Sequence, residues 1–311
     1  MSERSALPPI RRACVVTHGR TETIGDALSR LACLAAERDV QLVFPADERS
    51  KHDLDDLACS WAIDDGEDAD IALVLGGDGT TLRALQRFLG RNTPVFAINY
   101  GHFGFLTSAP ARGLESAVGR ALAGDVAVLE LPVLEIRGPD GERGLAVNDA
   151  VVTSGVHGRT ANLGWLVDDV DLGEVSCDAI VVATPAGSTA YSLSAGGPVL
   201  GWGLEGLCTT FVAPHSLAVR SFVFGSEQCI SVRNASPDLD ALLVLDGHVQ
   251  PEPLPPGADV GIRLSDRRAR LALLPEVSPL ARFRDAFSLL GERRPRRRFG
   301  TAAVHPGVRG D

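Results

Sequence analysis

A glycine-rich turn centred on Asp78 is the segment of this sequence best suited to chemistry. The residues Gly76–Thr80 (Gly-Gly-Asp-Gly-Thr) follow the apolar run Ile71–Leu75 and precede a helical pattern, which predicts a strand, a tight turn and a helix start. Glycines let a backbone approach a ligand closely, and the N–H groups at a helix N-terminus attract anions. A carboxylate beside a phosphate is repelled unless a metal or a substrate hydroxyl lies between them. The turn therefore favours phosphoryl transfer, although an ordinary strand-to-helix turn fits the same residues.

A second segment, residues 184–198, is dense in hydroxyls and small side chains. It reads Thr-Pro-Ala-Gly-Ser-Thr-Ala-Tyr-Ser-Leu-Ser-Ala-Gly-Gly-Pro. Such a segment has little to bury and can offer backbone N–H groups and short hydroxyls to a polar ligand. The alternative is a flexible loop. The apolar run Ile180–Ala183 argues against that alternative, because it anchors the segment on a buried strand.

These segments belong to an ordered set of blocks that resembles the bacterial-type NAD kinase family. The resemblance spans residues 71 to 248 and weakens before residue 70 and after residue 275. The Gly-Gly-Asp-Gly block also occurs in lipid kinases and phosphofructokinases, whereas the Thr-Pro-Ala-Gly-Ser-Thr-Ala-Tyr block is far more specific. The matching blocks are Gly76–Thr80, Asn99–Thr107, Asn148-Asp149, Asp178, Thr184–Pro198, Pro214–Leu217 and Asp246–His248.

The resemblance implies transfer of the terminal phosphoryl group of ATP, or of polyphosphate, to the 2′-hydroxyl of the adenosine ribose of NAD, giving NADP. A sugar hydroxyl is a poor nucleophile, so a carboxylate that orients it and accepts its proton is expected, and Asp78 is that residue. The predicted phosphate-loop residues are Gly76, Gly77, Gly79, Thr80 and Arg83. Arg83 lies one turn into the helix, where it could reach a phosphate or simply be exposed. Mg²⁺ or another divalent cation is the implied cofactor, with no direct protein ligand assigned.

The resemblance also implies the NAD-binding residues. Asn148 and Asp149, an amide and a carboxylate side by side, could read a base edge and ribose hydroxyls. The remaining positions are Arg159, Asp178, Thr189, Ala190, Tyr191, Ser194 and Asp246. Asp246-Gly247 fits a β-turn equally well. The sequence departs from the family at three positions: Asp149 where Glu is usual, Ala179 where Gly is usual, and Gly201 where Pro is more common.

Two other classes of function stay open at this point. A lipid or sugar kinase on the same scaffold would need an apolar groove or a membrane-facing surface, which the hydroxyl-rich segment disfavours. A non-catalytic NAD- or NADP-binding regulator is kept open by the three departures. Retention of Asp78 within a complete glycine loop favours catalysis.

The composition sets further limits. The 311 residues carry a net charge of −10, which disfavours a nucleic-acid partner. The chain has no 18-residue apolar stretch and no apolar signal core, so no membrane partner is expected. Six scattered cysteines are typical of a reduced, cytoplasmic protein. The expected partners are therefore small molecules, and the family resemblance adds a homo-oligomer, either a dimer or a tetramer.

The pattern of elements predicts how these residues are positioned. Apolar strands alternate with helices up to residue 110, which predicts an α/β domain with a parallel sheet and a ligand site at the carboxyl ends of its strands. Residues 111–279 show short strand-like runs between Gly, Pro and Asp turns, which predict a β-rich, sandwich-like, NAD-binding domain. Those runs include Val126–Leu131, Val133–Arg137, Leu145–Thr153, Val260–Leu264 and Ala269–Leu274. By resemblance, residues 280–291 pack back on the first domain, and the basic tail 292–311 is predicted to be disordered.

Overall fold

The computed structural model describes residues 7–101, 104–138 and 141–288. His102 and Phe103 of one family block, and the predicted basic tail 292–311, lie outside the described residues. Within the described part of the chain, no helix combines the length and the hydropathy that a bilayer crossing requires.

The elements follow the predicted change from an alternating to an all-strand pattern. The helices are α1 (Thr21–Ile24), α2 (Ala27–Ala36), α3 (Ala46–Arg49), α4 (Asp78–Arg87), α5 (Leu114–Leu122), α6 (Tyr191–Ser194) and α7 (Pro279–Ser288). The strands are β1 (Arg12–Thr17), β2 (Gln41–Phe44), β3 (Trp61–Ile63), β4 (Ile71–Gly76), β5 (Val95–Asn99), β6 (Ala109–Pro110), β7 (Ala127–Gly138), β8 (Gly141–Ala146), β9 (Asp149–Ser154), β10 (Ala161–Val167), β11 (Val170–Cys177), β12 (Ala179–Ala183), β13 (Gly206–Val212), β14 (Phe222–Gly225), β15 (Ile230–Asn234), β16 (Ala241–Leu245), β17 (His248–Val249) and β18 (Asp259–Leu273).

The N-terminal strands form a parallel sheet in the order β5-β4-β1-β2-β3. Strand β4 lies between β5 and β1 and is buried at all six positions, because helices cover both faces of the sheet. Its carboxyl end leads through Gly77 directly into α4. The predicted parallel sheet, with the glycine turn at its carboxyl edge, is confirmed.

The C-terminal strands form a sandwich, as predicted. One layer is the antiparallel sheet β14-β13-β12-β9-β16-β17. The other layer contains β11, β10, β15, β18 and β7 and continues into the parallel sheet through the pairing of β18 with β5. Between the layers lies a core of alternating apolar residues that includes Leu134, Val152, Leu163, Ile180 and Ile262.

Three boundaries differ from the predicted strands. The two predicted runs within 126–137 form one long strand, β7, and the two within 260–274 form another, β18. A register shift between Leu264 and Arg268 marks the point where the sequence periodicity of β18 breaks. The single run predicted over 145–153 is instead divided between β8 and β9 at Val147-Asn148. That division matters because it places Asn148 at an irregular point of the backbone beside the end of α4.

A buried carboxylate fastens the carboxyl end of β1. Glu48, on the short helix α3, has no exposed surface, and its carboxylate accepts hydrogen bonds from the backbone N–H of Thr17 at 3.1 Å and from Lys51 Nζ at 2.7 Å. The Thr17 hydroxyl also donates to Glu48. The carbonyl of Thr17 in turn accepts a hydrogen bond from Arg83 Nη2 at 3.0 Å. Glu48 thus supports the segment against which Arg83 of α4 is held.

We expect Glu48→Ala to lower the free energy of unfolding by about 3–5 kcal/mol, because it leaves a buried N–H without its acceptor and removes the nearer of the two carboxylates that face the half-buried Lys51 ammonium. Asp47→Ala is the matched control. Asp47 also faces Lys51, at 3.4 Å, but its carboxylate is 56% exposed, so its loss should cost less than about 1 kcal/mol. Urea unfolding measures both changes. Equal losses in the two variants would contradict the role given to Glu48.

Candidate functional site

Asp78 is the first residue of α4, and its carboxylate is held by the backbone of a neighbouring segment. Its two oxygens accept hydrogen bonds from the N–H groups of Phe105, at 2.7 Å, and Leu106, at 2.9 Å. Gly104 permits this approach, since a Cβ atom there would lie 2.7 Å from Asp78 Oδ1. Burial raises the pKa of Asp78, while the two N–H groups and the positive charge of Arg282 act in the opposite direction.

A polar cleft of about 520 Å³ lies at the carboxyl ends of β1, β4 and β5. It brings together four of the predicted phosphate-loop residues, namely Gly77, Gly79, Thr80 and Arg83. Gly76, the fifth, ends β4 and packs on Thr80, where an added Cβ would lie 2.6 Å from the Thr80 hydroxyl oxygen. The exposed N–H groups of the first turn of α4 and the guanidinium of Arg83 make this cleft suitable for an anion. We call it the donor cleft.

Sequence reasoning missed three side chains of the donor cleft: His18, Arg20 and Tyr100. The order of the strands in the sheet is the signal that could have identified them. His18 and Arg20 follow β1, and Tyr100 follows β5, and these two strands flank β4 in the sheet. Ligands of such sheets bind where the carboxyl ends of adjacent strands meet.

A second cleft, of about 390 Å³, lies between α4 and the antiparallel sheet. It brings together five predicted NAD-binding residues and five that were not predicted. The predicted ones are Asn148, Asp149, Ala190, Tyr191 and Asp246, and the others are Leu82, Val151, Thr153, Val244 and Gly247. We call it the acceptor cleft. Asp149, Val151 and Thr153 alternate along β9, so the period of two in the sequence was the signal that could have identified the last two.

Asp78 lies where the two clefts approach each other. A smaller cavity of about 170 Å³ is lined by Asp78, Phe105, Leu106, Ala186 and Thr189 together with residues of both clefts. It shares Gly79 with the donor cleft, and it shares Leu82, Asn148 and Ala190 with the acceptor cleft. A group in one cleft can therefore meet a group in the other beside the Asp78 carboxylate.

Asp246 anchors the irregular backbone between β8 and β9. Its carboxylate accepts hydrogen bonds from the N–H groups of Val147 at 2.8 Å, Asn148 at 2.7 Å and Asp149 at 3.0 Å. A fourth bond, of 2.7 Å, comes from Gln86 Nε2 on α4. These four donors leave the carboxylate little capacity for a ligand, and its main effect is to fix the strand break against α4.

Asn148 and Asp149 present unsatisfied polar atoms to the acceptor cleft. Asn148 Oδ1 is buried and has no hydrogen-bond partner among the described residues. Asp149 is only 5% exposed, and its burial, with the nearby charge of Asp246, raises the pKa of Asp149 to about 7. A buried acceptor without a protein donor indicates that a ligand completes the site.

Three of the six hydroxyls of the Thr184–Pro198 segment are buried, contrary to the expectation that they face a ligand. Thr184, Ser188 and Ser192 are fully buried. They bond to the Val147 carbonyl at 2.6 Å, the Pro185 carbonyl at 2.7 Å and the Thr210 hydroxyl at 2.9 Å respectively. Gly187 belongs to this tight packing, since a Cβ there would lie 1.9 Å from the Asn148 carbonyl oxygen. The segment is therefore a tightly packed wall, and the residues of it that line the cavities are Ala186, Thr189, Ala190 and Tyr191.

Three predicted NAD-binding residues line neither the two clefts nor the smaller cavity between them. Arg159 is exposed on the loop after β9 and lies 3.8 Å from Asp238. Asp178 is exposed between β11 and β12, and Ser194 is exposed at the end of α6. The Thr189 hydroxyl donates to the Ala186 carbonyl at 3.0 Å, so this hydroxyl is already bonded within the protein. Thr189 nevertheless lines the cavity beside Asp78.

Two family models match the chain and account for both halves of this site. The model described as ATP-NAD kinase N-terminal domain matches residues 41–126, which include the part of the donor cleft formed by α4 and the residues after β5. The model described as ATP-NAD kinase C-terminal domain matches residues 147–274, which include the wall of the acceptor cleft.

Individual proteins give the same result. An NAD kinase from Symbiobacterium thermophilum is 38% identical over 212 residues, covering 67% of this chain and 75% of that protein. The structure of an NAD kinase from Archaeoglobus fulgidus in complex with ATP is similar with a TM-score of 0.67 and 28% identity, covering 89% of this chain and 97% of the other. A yeast NADH kinase in complex with NADH shares the fold, with a TM-score of 0.79 at 22% identity, over 93% of this chain and 90% of the other. With both family models and a relative of this identity and coverage, the chain belongs to the NAD kinase family.

Proposed function

We propose that this protein transfers the terminal phosphoryl group of ATP to the 2′-hydroxyl of the adenosine ribose of NAD, giving NADP. The observation that carries the proposal is the position of Asp78, a half-buried carboxylate at the junction of an anion-binding cleft and a nucleoside-sized cleft. Family membership and the complexes of the relatives with ATP and NADH support the choice of these two kinds of substrate.

The donor phosphates occupy the donor cleft. Backbone N–H groups of Gly77, Gly79 and Thr80 surround the position at the start of α4 where the helix dipole favours negative charge. Arg83 is held at the side of this cleft by its bond to the Thr17 carbonyl, so its charge is in place before the donor arrives. The same features would accept the phosphates of polyphosphate, so the donor is tested with both compounds.

The adenosine of NAD occupies the acceptor cleft. Leu82, Val151 and Val244 supply apolar surface for a base, while Asn148 Oδ1 and the Asp149 carboxylate supply acceptors for its amino group or for ribose hydroxyls. This arrangement directs a ribose hydroxyl toward the small cavity that Asp78 lines. The division of labour proposed from the sequence, with residues 1–110 serving the donor and residues 111–279 serving NAD, follows from it.

A divalent cation fits the donor side. Within the described residues no group of three or more metal-binding side chains occurs, so the cation would be held chiefly by the donor phosphates, with Asp78 as the nearby carboxylate. This is the usual way that Mg²⁺ binds in phosphoryl-transfer sites, where it offsets the negative charge that develops on the transferred group.

The chemical step needs little beyond positioning and one proton acceptor. The ribose hydroxyl oxygen attacks the terminal phosphorus, the bond to the bridging oxygen breaks, and the hydroxyl proton passes to Asp78. Burial raises the pKa of Asp78, which suits this carboxylate to accept a proton near neutral pH. The backbone bonds from Phe105 and Leu106 keep its oxygens in a fixed orientation.

Oligomeric state and compartment are further parts of the proposal. Apolar side chains are exposed on two edge strands, with Phe222 and Val223 on β14 and Val170 on β11, and surfaces of this kind favour assembly into a homo-oligomer. All six cysteines are free, which fits a reducing cytoplasm. Light scattering of the purified protein tests the first of these statements.

The function is tested with purified protein, NAD, Mg²⁺ and either ATP or polyphosphate, with NADP detected by an NADP-specific dehydrogenase. NADP formation that depends on donor and cation supports the proposal. Folded protein that forms no NADP from either donor contradicts it.

Asp78→Asn should lower kcat by roughly a hundredfold or more while changing KM for NAD only slightly, because the amide cannot accept the proton but occupies the same space. Asp55→Asn is the matched control. Asp55 is exposed and lies outside the glycine-rich turn, so this variant should have the kcat and KM of wild type. A kcat for Asp78→Asn within a few-fold of wild type would remove this residue from the chemical step.

Asp149 should make the stability of the ligand-free protein depend on pH. Its pKa is raised from 3.8 to about 7 in the folded state, so between these pH values the folded protein holds a proton that the unfolded chain does not. Stability therefore falls as pH rises through this window, because unfolding releases this proton and rising pH favours its release.

Asp149→Asn lacks this ionisation. The free energy of unfolding of the variant relative to wild type should therefore rise between pH 4 and pH 8, by up to a few kcal/mol. Asp240→Asn, at an exposed carboxyl, should show no such trend. Urea unfolding across this pH range is the measurement, and a flat difference for Asp149→Asn would show that this carboxyl titrates normally.

A further inference from the structure

The C-terminal helix α7 lies on the far side of the segment that holds Asp78. Arg282 lines neither the donor cleft, nor the acceptor cleft, nor the cavity that joins them. It lines a separate cavity of about 340 Å³, together with Gly104 and Thr107. The segment Gly104–Leu106 therefore stands between Arg282 and the space where substrates would meet.

Arg282 holds this segment through its backbone. Arg282 Nη1 donates a hydrogen bond to the carbonyl oxygen of Phe105. The N–H groups of Phe105 and Leu106 are the two donors to the Asp78 carboxylate. A single pair of peptide groups thus links the guanidinium on one side to the proposed catalytic carboxylate on the other.

An aromatic cluster fixes α7 in this position. The Phe105 ring packs against Phe283 and Phe287 of α7, with ring centroids 6.1 and 6.5 Å apart. Trp202, which follows the Thr184–Pro198 segment, packs edge-on against Phe283 at 6.3 Å. Such pairs favour tilted and edge-on geometries of this kind. The cluster therefore joins the Asp78-binding segment, α7 and the wall of the acceptor cleft.

Arg282 is also the charge that acts on Asp78. Burial lowers the pKa of Arg282 to about 10, so the guanidinium remains charged at neutral pH, and its charge favours the ionised form of Asp78. Two carboxylates line the same cavity as Arg282: Glu276, which pairs with Arg120 at 2.5 Å, and Asp285, which pairs with Arg284 at 2.7 Å. On α4, Arg83 donates to Thr17 and Gln86 donates to Asp246, and across the acceptor cleft the Asp149 carboxyl interacts with Asp246.

We infer that Arg282 is a positioning residue for phosphoryl transfer, which fixes the Phe105-Leu106 backbone and keeps the Asp78 carboxylate oriented and ionised. The inference rests on the proposed function, since it takes Asp78 to be the proton acceptor. It gives α7 a role that goes beyond packing, because the helix delivers a charge to the rear of the reacting centre without touching substrate.

Three variants test the inference. Arg282→Met keeps the length and apolar contacts of the side chain but removes its charge and hydrogen bond, and it should lower kcat between about tenfold and a hundredfold, with KM for NAD and ATP changed little. Arg282→Lys keeps a charge and a donor and should recover most of kcat. Arg284→Met is the control, because Arg284 is exposed on the same helix and pairs with Asp285.

The pH profile separates this role from a purely structural one. Loss of the positive charge raises the pKa of Asp78, so the acid limb of kcat should move to higher pH in Arg282→Met and remain near its wild-type position in Arg282→Lys. A wild-type kcat and acid limb in Arg282→Met, or equal losses in the Met and Lys variants, would overturn the inference. If Arg282→Met does not fold, Arg282→Gln is used in its place. Gln removes the charge but keeps an amide donor, so the shift of the acid limb to higher pH is the expected result for this variant.

Amide hydrogen exchange gives a readout that does not depend on activity. In wild type the amides of Phe105 and Leu106 are bonded to Asp78, so a peptide covering residues 104–108 should exchange slowly, and Arg282→Met should speed its exchange. Unchanged exchange would overturn the inference even if kcat fell. Absence of NADP formation by the wild-type protein would instead contradict the proposed function, and the exchange result would still decide whether Arg282 holds this segment.

Discussion

The carboxylate of Asp246 is the interaction on which the arrangement of the site depends. It accepts hydrogen bonds from three consecutive backbone N–H groups at the break between β8 and β9 and from the side-chain amide of Gln86 on α4. The backbone at this break cannot satisfy its N–H groups within a strand ladder, so the carboxylate replaces the missing acceptors. Because α4 begins at Asp78, the same carboxylate also sets the distance between the donor loop and the acceptor cleft.

Three aspartates, two buried and one half-buried, serve this site in different ways because their surroundings differ. Asp246 is surrounded by four donors and acts as a structural anchor. Asp78 has two backbone donors and the guanidinium of Arg282 behind it, so it is both fixed and accessible from the clefts. For Asp149, burial and the charge of Asp246 dominate, and its pKa rises to about 7. Because all three are aspartates, the number of hydrogen-bond donors around each carboxylate decides its role in the site.

The two parts of the fold are joined by strands rather than by a flexible linker. β18 pairs with β15 at its start and with β5 at its end, and β7 accompanies it along most of its length. One continuous sheet therefore carries both the donor loop, at the end of β4, and one layer of the sandwich. A shared sheet of this kind keeps the two clefts in a fixed relation, which suits a reaction that must bring a phosphate and a hydroxyl into contact.

The sequence by itself determined the fold class, the family and the position of the donor loop. These depend on local patterns: the burial and periodicity of β4, the glycines that follow it and the order of the motif blocks. It also identified Asn148, Asp149 and Asp246, which the tertiary structure brings together. The tertiary structure alone decided that Thr184, Ser188 and Ser192 point inward, and that Arg159, Asp178 and Ser194 lie outside the clefts. It also decided that Arg282, about two hundred positions after Asp78, stands behind that residue. Periodicity says which face of an element is apolar, but contacts between distant elements depend on how strands pair and helices pack, and those pairings are not encoded in any one segment.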